Sequence, residues 1–73
     1  MKKTYQMEEL DCAHCASKME VAIRAIDGVT SASINFFAQR LTVEFADGAD
    51  EKKIMKAALK ACRKIEPDCS ILL

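Results

Sequence analysis

Two segments of the chain, Val29-Thr30-Ser31-Ala32-Ser33-Ile34-Asn35-Phe36 and Arg40-Leu41-Thr42-Val43-Glu44-Phe45, joined by Phe37-Ala38-Gln39, decide the fold. The first is rich in β-branched and aromatic residues, and the second alternates apolar with polar residues. Both patterns fit a strand with one face buried, and the short connection makes them a hairpin. On the N-terminal side of the hairpin the period changes. Between Ala16 and Ile26, the residues Met19, Ala22, Ile23 and Ile26 recur at helical spacing, with Lys18, Glu20 and Arg24 on other faces. Asp27-Gly28 stops that helix, because Gly28 is free to take the left-handed conformation of a helix terminus. Tyr5-Gln6-Met7-Glu8, further out, alternates again and reads as a strand.

The C-terminal side mirrors this order. Asp47-Gly48 supplies a turn, and Asp50 stands as the N-cap of a second helix from about Glu51 to Lys64. Ile54, Ala58, Ala61, Cys62 and Ile65 form its apolar stripe, Pro67 cannot continue it, and Ser70-Ile71-Leu72-Leu73 is apolar enough to close a sheet. The order β-α-β-β-α-β predicts an α+β, ferredoxin-like sandwich: a four-stranded antiparallel sheet with both helices on one face. Residues 1–73 are read as a single domain without linker, repeat or low-complexity segment. In that topology residues 11–15 and residues 62–69 are expected at the same end of the molecule.

Length and charge narrow the function. A core of 73 residues supplies roughly 3–5 kcal/mol of net stability, so a metal or a partner would help it. The 11 basic and 11 acidic residues cancel, and no basic excess is present to bind nucleic acid by counterion release. No stretch approaches the roughly 20 apolar residues of a membrane span, and Lys2 and Lys3 are not followed by the apolar run of a signal peptide. The expectation is a cytoplasmic segment with no membrane contact of its own. Its four cysteines then point to metal or redox chemistry rather than structural disulfides. The end on Ile71-Leu72-Leu73, with no tail after the last strand, is read as the mark of an excised domain.

The chemistry centres on Leu10-Asp11-Cys12-Ala13-His14-Cys15, between the first strand and the first helix. Cysteines at i and i+3 across a loop-to-helix junction can aim both sulfurs at one ion, at about 2.3 Å for zinc. The helix N-terminus favours the thiolate, which is the ligand form. Soft thiolates select Cu(I), Zn(II), Cd(II) and similar ions over Mg(II) and Ca(II). Two sulfurs complete a linear Cu(I) site, whereas a divalent ion wants more ligands and more charge, which Asp11 can supply. The alternative, less favoured reading is that Asp11 caps the helix, and the two roles could alternate with metal occupancy.

This Asp-Cys-x-x-Cys junction, followed by Lys18-Met19-Glu20, Ile23, Ile26 and Asp27-Gly28-Val29, resembles the heavy-metal-associated domain family along nearly the whole chain. The family includes copper chaperones and the N-terminal domains of metal-pumping P-type ATPases. Its copper-handling branch commonly has Gly-Met-Thr before the first cysteine, where this chain has Glu9, Leu10 and Asp11. Glu66-Pro67 stands where that branch tends to carry Gly and an aromatic residue. Both departures look like the branch attached to zinc-, cadmium- and lead-exporting ATPases. The resemblance implies Asp11, Cys12 and Cys15 as ligands to Zn(II), Cd(II) or Pb(II), no catalysis by the chain itself, and the remainder of such an ATPase as partner. It implies a metal-free monomer, with a metal-bridged dimer open to an under-coordinated ion. A Cu(I) chaperone or copper-ATPase domain is the alternative. A thiol–disulfide oxidoreductase is a third reading, disfavoured by the short chain and by the absence of Trp beside the motif.

The other candidates are expected to be structural. His14, mid-loop, should face solvent. Cys62 lies on the apolar stripe as a small hydrophobe, and Cys69 is read as structural, with auxiliary ligand or redox partner of Cys62 as its alternatives. Met7 and Met19 are core residues by spacing, while Met1 and Met55 form no Met-rich copper box. Lys52, Lys53, Lys56, Lys60, Arg63 and Lys64 give the second helix a basic outer face, either simply solvated or suited to an acidic partner.

Overall fold

The computed structural model describes residues 1–73. Its elements follow the expected order: β1 (Lys2–Glu8), α1 (Ala13–Arg24), β2 (Val29–Asn35), β3 (Arg40–Phe45), α2 (Glu51–Ile65) and β4 (Ser70–Ile71). The strands form one antiparallel sheet in the order β2-β3-β1-β4. The fold is the ferredoxin-like sandwich.

Alternation sets the sidedness of the sheet. Met7, Ala32, Leu41, Val43, Phe45 and Ile71 are buried, and cross-strand register places Ala32 opposite Val43 and Met7 opposite Ile71. The intervening Lys2, Thr4, Ser31, Ser33 and Glu44 are exposed, so one face is solvated and the other carries the helices. A slip of one residue would exchange the two sets, which is why the register is well specified. The helices complete the core with Ala16, Met19 and Ile23 from α1 and Ile54, Met55, Ala58 and Cys62 from α2. Met7, Met19 and Cys62 are core residues as expected; Met55, expected only as a residue of the second helix, joins them.

Five elements differ from expectation in their boundaries, β2 by ending at Asn35 rather than Phe36. β1 begins at Lys2 rather than Tyr5 because Lys2, Lys3 and Thr4 pair with Glu44, Val43 and Thr42. α1 runs from Ala13 to Arg24 rather than from Ala16 to Ile26: the Cys-x-x-Cys segment is already helical from Ala13, and Cys15 packs against the core one turn before Met19. α2 reaches one residue further, to Ile65, and β4 is only Ser70–Ile71. Asp50 caps α2 as expected, its carboxylate accepting from the Lys53 N–H at 3.3 Å.

Gly28 has φ +94°, a conformation that costs a residue with a Cβ about 1–2 kcal/mol. A Cβ there would also stand 2.8 Å from Ile54 Cδ1, so the end of α1 and the start of α2 close on each other over this residue. The outer edge of β2 is covered by α1 side chains. Arg24 Nε donates to the Ala32 carbonyl at 2.9 Å, and the Ile34 N–H donates to the Glu20 carboxylate at 2.6 Å. Polar groups that would otherwise invite another strand are thereby occupied.

Candidate metal site

β1 ends at Glu8, and the chain turns out of the sheet at Glu9, whose φ is +60°. Leu10 then drops into the core and is 1% exposed, while Asp11 is exposed. An apolar anchor between a kink and a helix start gives the loop a defined path. Gln39, in the turn between β2 and β3, contacts the same segment: its carboxamide oxygen accepts from the Leu10 N–H at 3.1 Å, and its amide nitrogen donates to the Leu10 carbonyl at 2.7 Å.

Cys12 is the N-cap of α1, with extended φ −127° and ψ 117°. Its carbonyl accepts from the Ala16 N–H at 3.0 Å and its sulfur accepts from the Cys15 N–H at 3.2 Å. The alternative role of Asp11 as helix cap is therefore corrected: sulfur occupies the capping position one residue later. The first turn of α1 contains no acidic side chain, so its N–H groups meet no internal carboxylate. Cys12 and Cys15 are both half-buried, and His14 between them is exposed, as expected.

The two thiols are electrostatically unequal. A hydrogen bond from the Cys15 thiol, then the Cys15 N–H, holds Cys12 below its ordinary range. The same thiol–thiol bond, followed by desolvation, pushes Cys15 up to about 11. Cys12 is the sulfur that becomes thiolate first. The charge of Glu66 acts on both cysteines against the thiolate, and Asp11 acts likewise on Cys69. Residues 11–15 and 66–69 thus share one end of the sandwich, as the topology predicts. Sequence reasoning weighed Glu66 only as a departure from a loop pattern; its field at the thiols depends on the packing of α2.

The structure brings Cys12 and Cys15 together, but no three His, Cys, Asp or Glu side chains converge into a ligand group anywhere in the chain. Asp11 stands beside the pair without completing a three-ligand cluster. Cys62 and Cys69 are each 0% exposed, and burial raises both thiols, Cys62 to about 12. Both are neutral, packed side chains of the core cluster.

The model of the family described as heavy-metal-associated domain matches residues 4–67. The chain belongs to the heavy-metal-associated domain family. The family is non-catalytic and binds metal ions, which removes the oxidoreductase reading. Relatives of this heavy-metal-associated domain fall on both sides of the metal divide. It is 34% identical over 71 residues to the cadmium, zinc and cobalt-transporting ATPase of Bacillus subtilis, a match that covers 97% of this chain and 10% of the ATPase. Over 54 residues it is 37% identical to the copper chaperone CopZ of Staphylococcus aureus, covering 74% of this chain and 79% of the chaperone. Among solved structures, a CopZ metallochaperone superposes with TM-score 0.76 at 25% identity, covering 99% of this chain and 100% of the other. The N-terminal domain of the zinc(II) ATPase ZiaA in its apo form gives 0.75 at 21% identity, covering 99% of this chain and 63% of that one, and shows the shared fold. No helix is long and apolar enough to cross a membrane.

Proposed function

We propose that this heavy-metal-associated domain binds a soft divalent ion, Zn(II), Cd(II) or Pb(II), through Cys12, Cys15 and Asp11, and delivers it to, or regulates, a metal-exporting P-type ATPase. The observation that carries this reading is a carboxylate directly preceding two cysteines at a helix N-terminus, the sulfur of the first accepting from the N–H of the second. Cys12, the more acidic thiol, makes the first bond to the ion. Cys15 loses its proton as it becomes the second ligand. Asp11, on an exposed limb next to Cys12, supplies a third donor and the negative charge that a divalent ion requires. A site with two or three ligands leaves a coordination position where an incoming ligand can attack, so the ion passes on by ligand exchange. The exposed basic face of α2, from Lys52 to Lys64, suits an acidic surface on the receiving partner.

A second reading, Cu(I) handling, is favoured by the pairing of two sulfurs without a third converging ligand, since two thiolates suffice for Cu(I). Titration of reduced wild-type and Asp11→Ala protein with Cd(II) and with Cu(I), each against a competing chelator, separates them. A loss of about tenfold or more confined to Cd(II) supports the divalent reading. Unchanged affinity for both metals removes Asp11 from the site and leaves the copper reading.

A further inference from the structure

We propose that Gln39 is a positioning residue of the metal site: its side chain clamps the Leu10 peptide groups and thereby sets where Asp11 and Cys12 stand relative to Cys15. This inference rests on the metal-binding reading of Cys12 and Cys15.

Leu10 sits between the end of β1 and the start of α1, where neither element supplies its backbone with partners. Its side chain is buried, so water is a poor substitute. Gln39, 29 residues away in sequence, satisfies both groups with one carboxamide, accepting from the Leu10 N–H at 3.1 Å and donating to its carbonyl at 2.7 Å. The same amide nitrogen also donates to the Phe36 carbonyl at 2.9 Å. Only a carboxamide offers an acceptor and two donors in one planar group, so the three contacts fix both the residue type and the orientation of the amide. The backbone carbonyl of Gln39 takes the Met7 N–H at 2.7 Å, so one residue holds the chain on both sides of the Glu9 kink.

Gln39 is in the left-handed region, with φ +54°, and Glu9 at +60° is the only other non-glycine residue there. Two uncommon conformations thus face each other across this contact, and strained backbone of this kind persists only where the surroundings over-determine it. The Leu10 carbonyl belongs to the peptide plane that begins Asp11, and Cys12 follows. Fixing that plane leaves few dihedrals between the clamp and the first sulfur; on its far side Cys12 is held by α1, its carbonyl taking the Ala16 N–H and its sulfur the Cys15 N–H. The clamp therefore presents the Asp11–Cys12 limb to the helix in one arrangement before any ion arrives, an outer-shell role of the kind that is worth about 10–100-fold in metal affinity.

The test compares wild type with Gln39→Ala and Gln39→Asn. Asn is at ease at positive φ and keeps the carboxamide, but it is one methylene short of Leu10. Hydrogen exchange of the Leu10 amide in the metal-free protein reads the clamp directly, circular dichroism and urea unfolding read the fold, and chelator competition with Cd(II) reads the site. Faster Leu10 exchange with a loss of about tenfold in Cd(II) affinity, in a protein that remains folded, is the expected result. Unchanged Cd(II) affinity in a folded variant whose Leu10 amide is released would overturn the proposal and leave Gln39 a purely structural residue. The same variants in an Asp11→Ala background separate this inference from the divalent reading. A Gln39 effect that persists there acts through Cys12 and stands even if Asp11 proves not to be a ligand, and an effect that vanishes there acts through the carboxylate.

Discussion

The Cys15 N–H donates to the Cys12 sulfur at 3.2 Å, so the first cysteine caps the helix on which the second one rides. One sulfur is held by the backbone of the other residue before any ion arrives.

Metal uptake should release protons and tighten with pH. Cys15 is raised to about 11 by the bond to Cys12 and is protonated in the free protein at neutral pH, whereas its metal-bound form is thiolate. Binding therefore expels its proton at every pH below that value, and log K for Cd(II) should rise by at least about one per pH unit between pH 7 and 9. The slope should steepen below the titration of Cys12, where a second proton is displaced. Chelator competition across that range, with proton release measured in weakly buffered solution, checks the sign and the slope.

Thiol labelling should divide the cysteines two and two. Cys12 and Cys15 are half-buried, whereas Cys62 and Cys69 are 0% exposed with thiols raised by desolvation. An alkylating reagent should modify two thiols in the native protein, Cys12 first, and four after denaturation; bound Cd(II) should protect the first two. Mass spectrometry of quenched samples counts them. Rapid native labelling of Cys69 would return it to the list of auxiliary ligands.

Gly28→Ala and Gly48→Ala should differ in cost. Both glycines have positive φ, at +94° and +79°, but nothing lies within 4 Å of a Cβ at Gly48, whereas one at Gly28 meets Ile54 and Ala49. Gly48→Ala should lose about 1 kcal/mol from backbone strain alone. Gly28→Ala should lose about 2 kcal/mol or more, because Ile54 must also shift. Urea unfolding of the two variants measures the difference, and equal losses would show that Ile54 moves aside freely.

Tyr5→Phe should destabilise the metal-free protein slightly and leave metal binding alone. The Tyr5 hydroxyl donates to Glu51, which also pairs with Lys3 at 2.8 Å, tying β1 to the first turn of α2 at the end remote from Cys12. The bond to Lys3, then that to Tyr5, holds the Glu51 carboxyl below its ordinary value. Its contribution is complete above the unfolded carboxyl range and fades as pH falls through the lowered folded value. The loss on Tyr5→Phe should be small at pH 7 and smaller still under acid, by thermal melts at both pH values.

Much of this molecule was legible one residue type at a time. Alternation in Arg40–Phe45 and helical spacing in Met19, Ile23 and Ile54, Ala58, Cys62 report burial directly, because burial follows the period of the element. The start of α1 was not legible: Ala13 and His14 are exposed, and the apolar stripe of Met19 and Ile23 extends back into that turn only through Cys15, the second thiol. The capping choice between Asp11 and Cys12 was also hidden, since composition ranks Asp as the better cap and only the path of the kinked loop brings sulfur to the Cys15 N–H.

The sequence by itself determined the element order, the sidedness of the sheet and the pair of thiols at a strand-to-helix junction. Those are consequences of short-range spacing, which the chain carries in every fold it could adopt. Only the tertiary structure decided that Gln39 holds Leu10, that Glu66 sets its charge against the thiols, and that Cys62 and Cys69 are sealed from solvent. Such relations join residues far apart in the chain. They exist only once the sheet register and the packing of α2 have brought three loops to one end of the molecule.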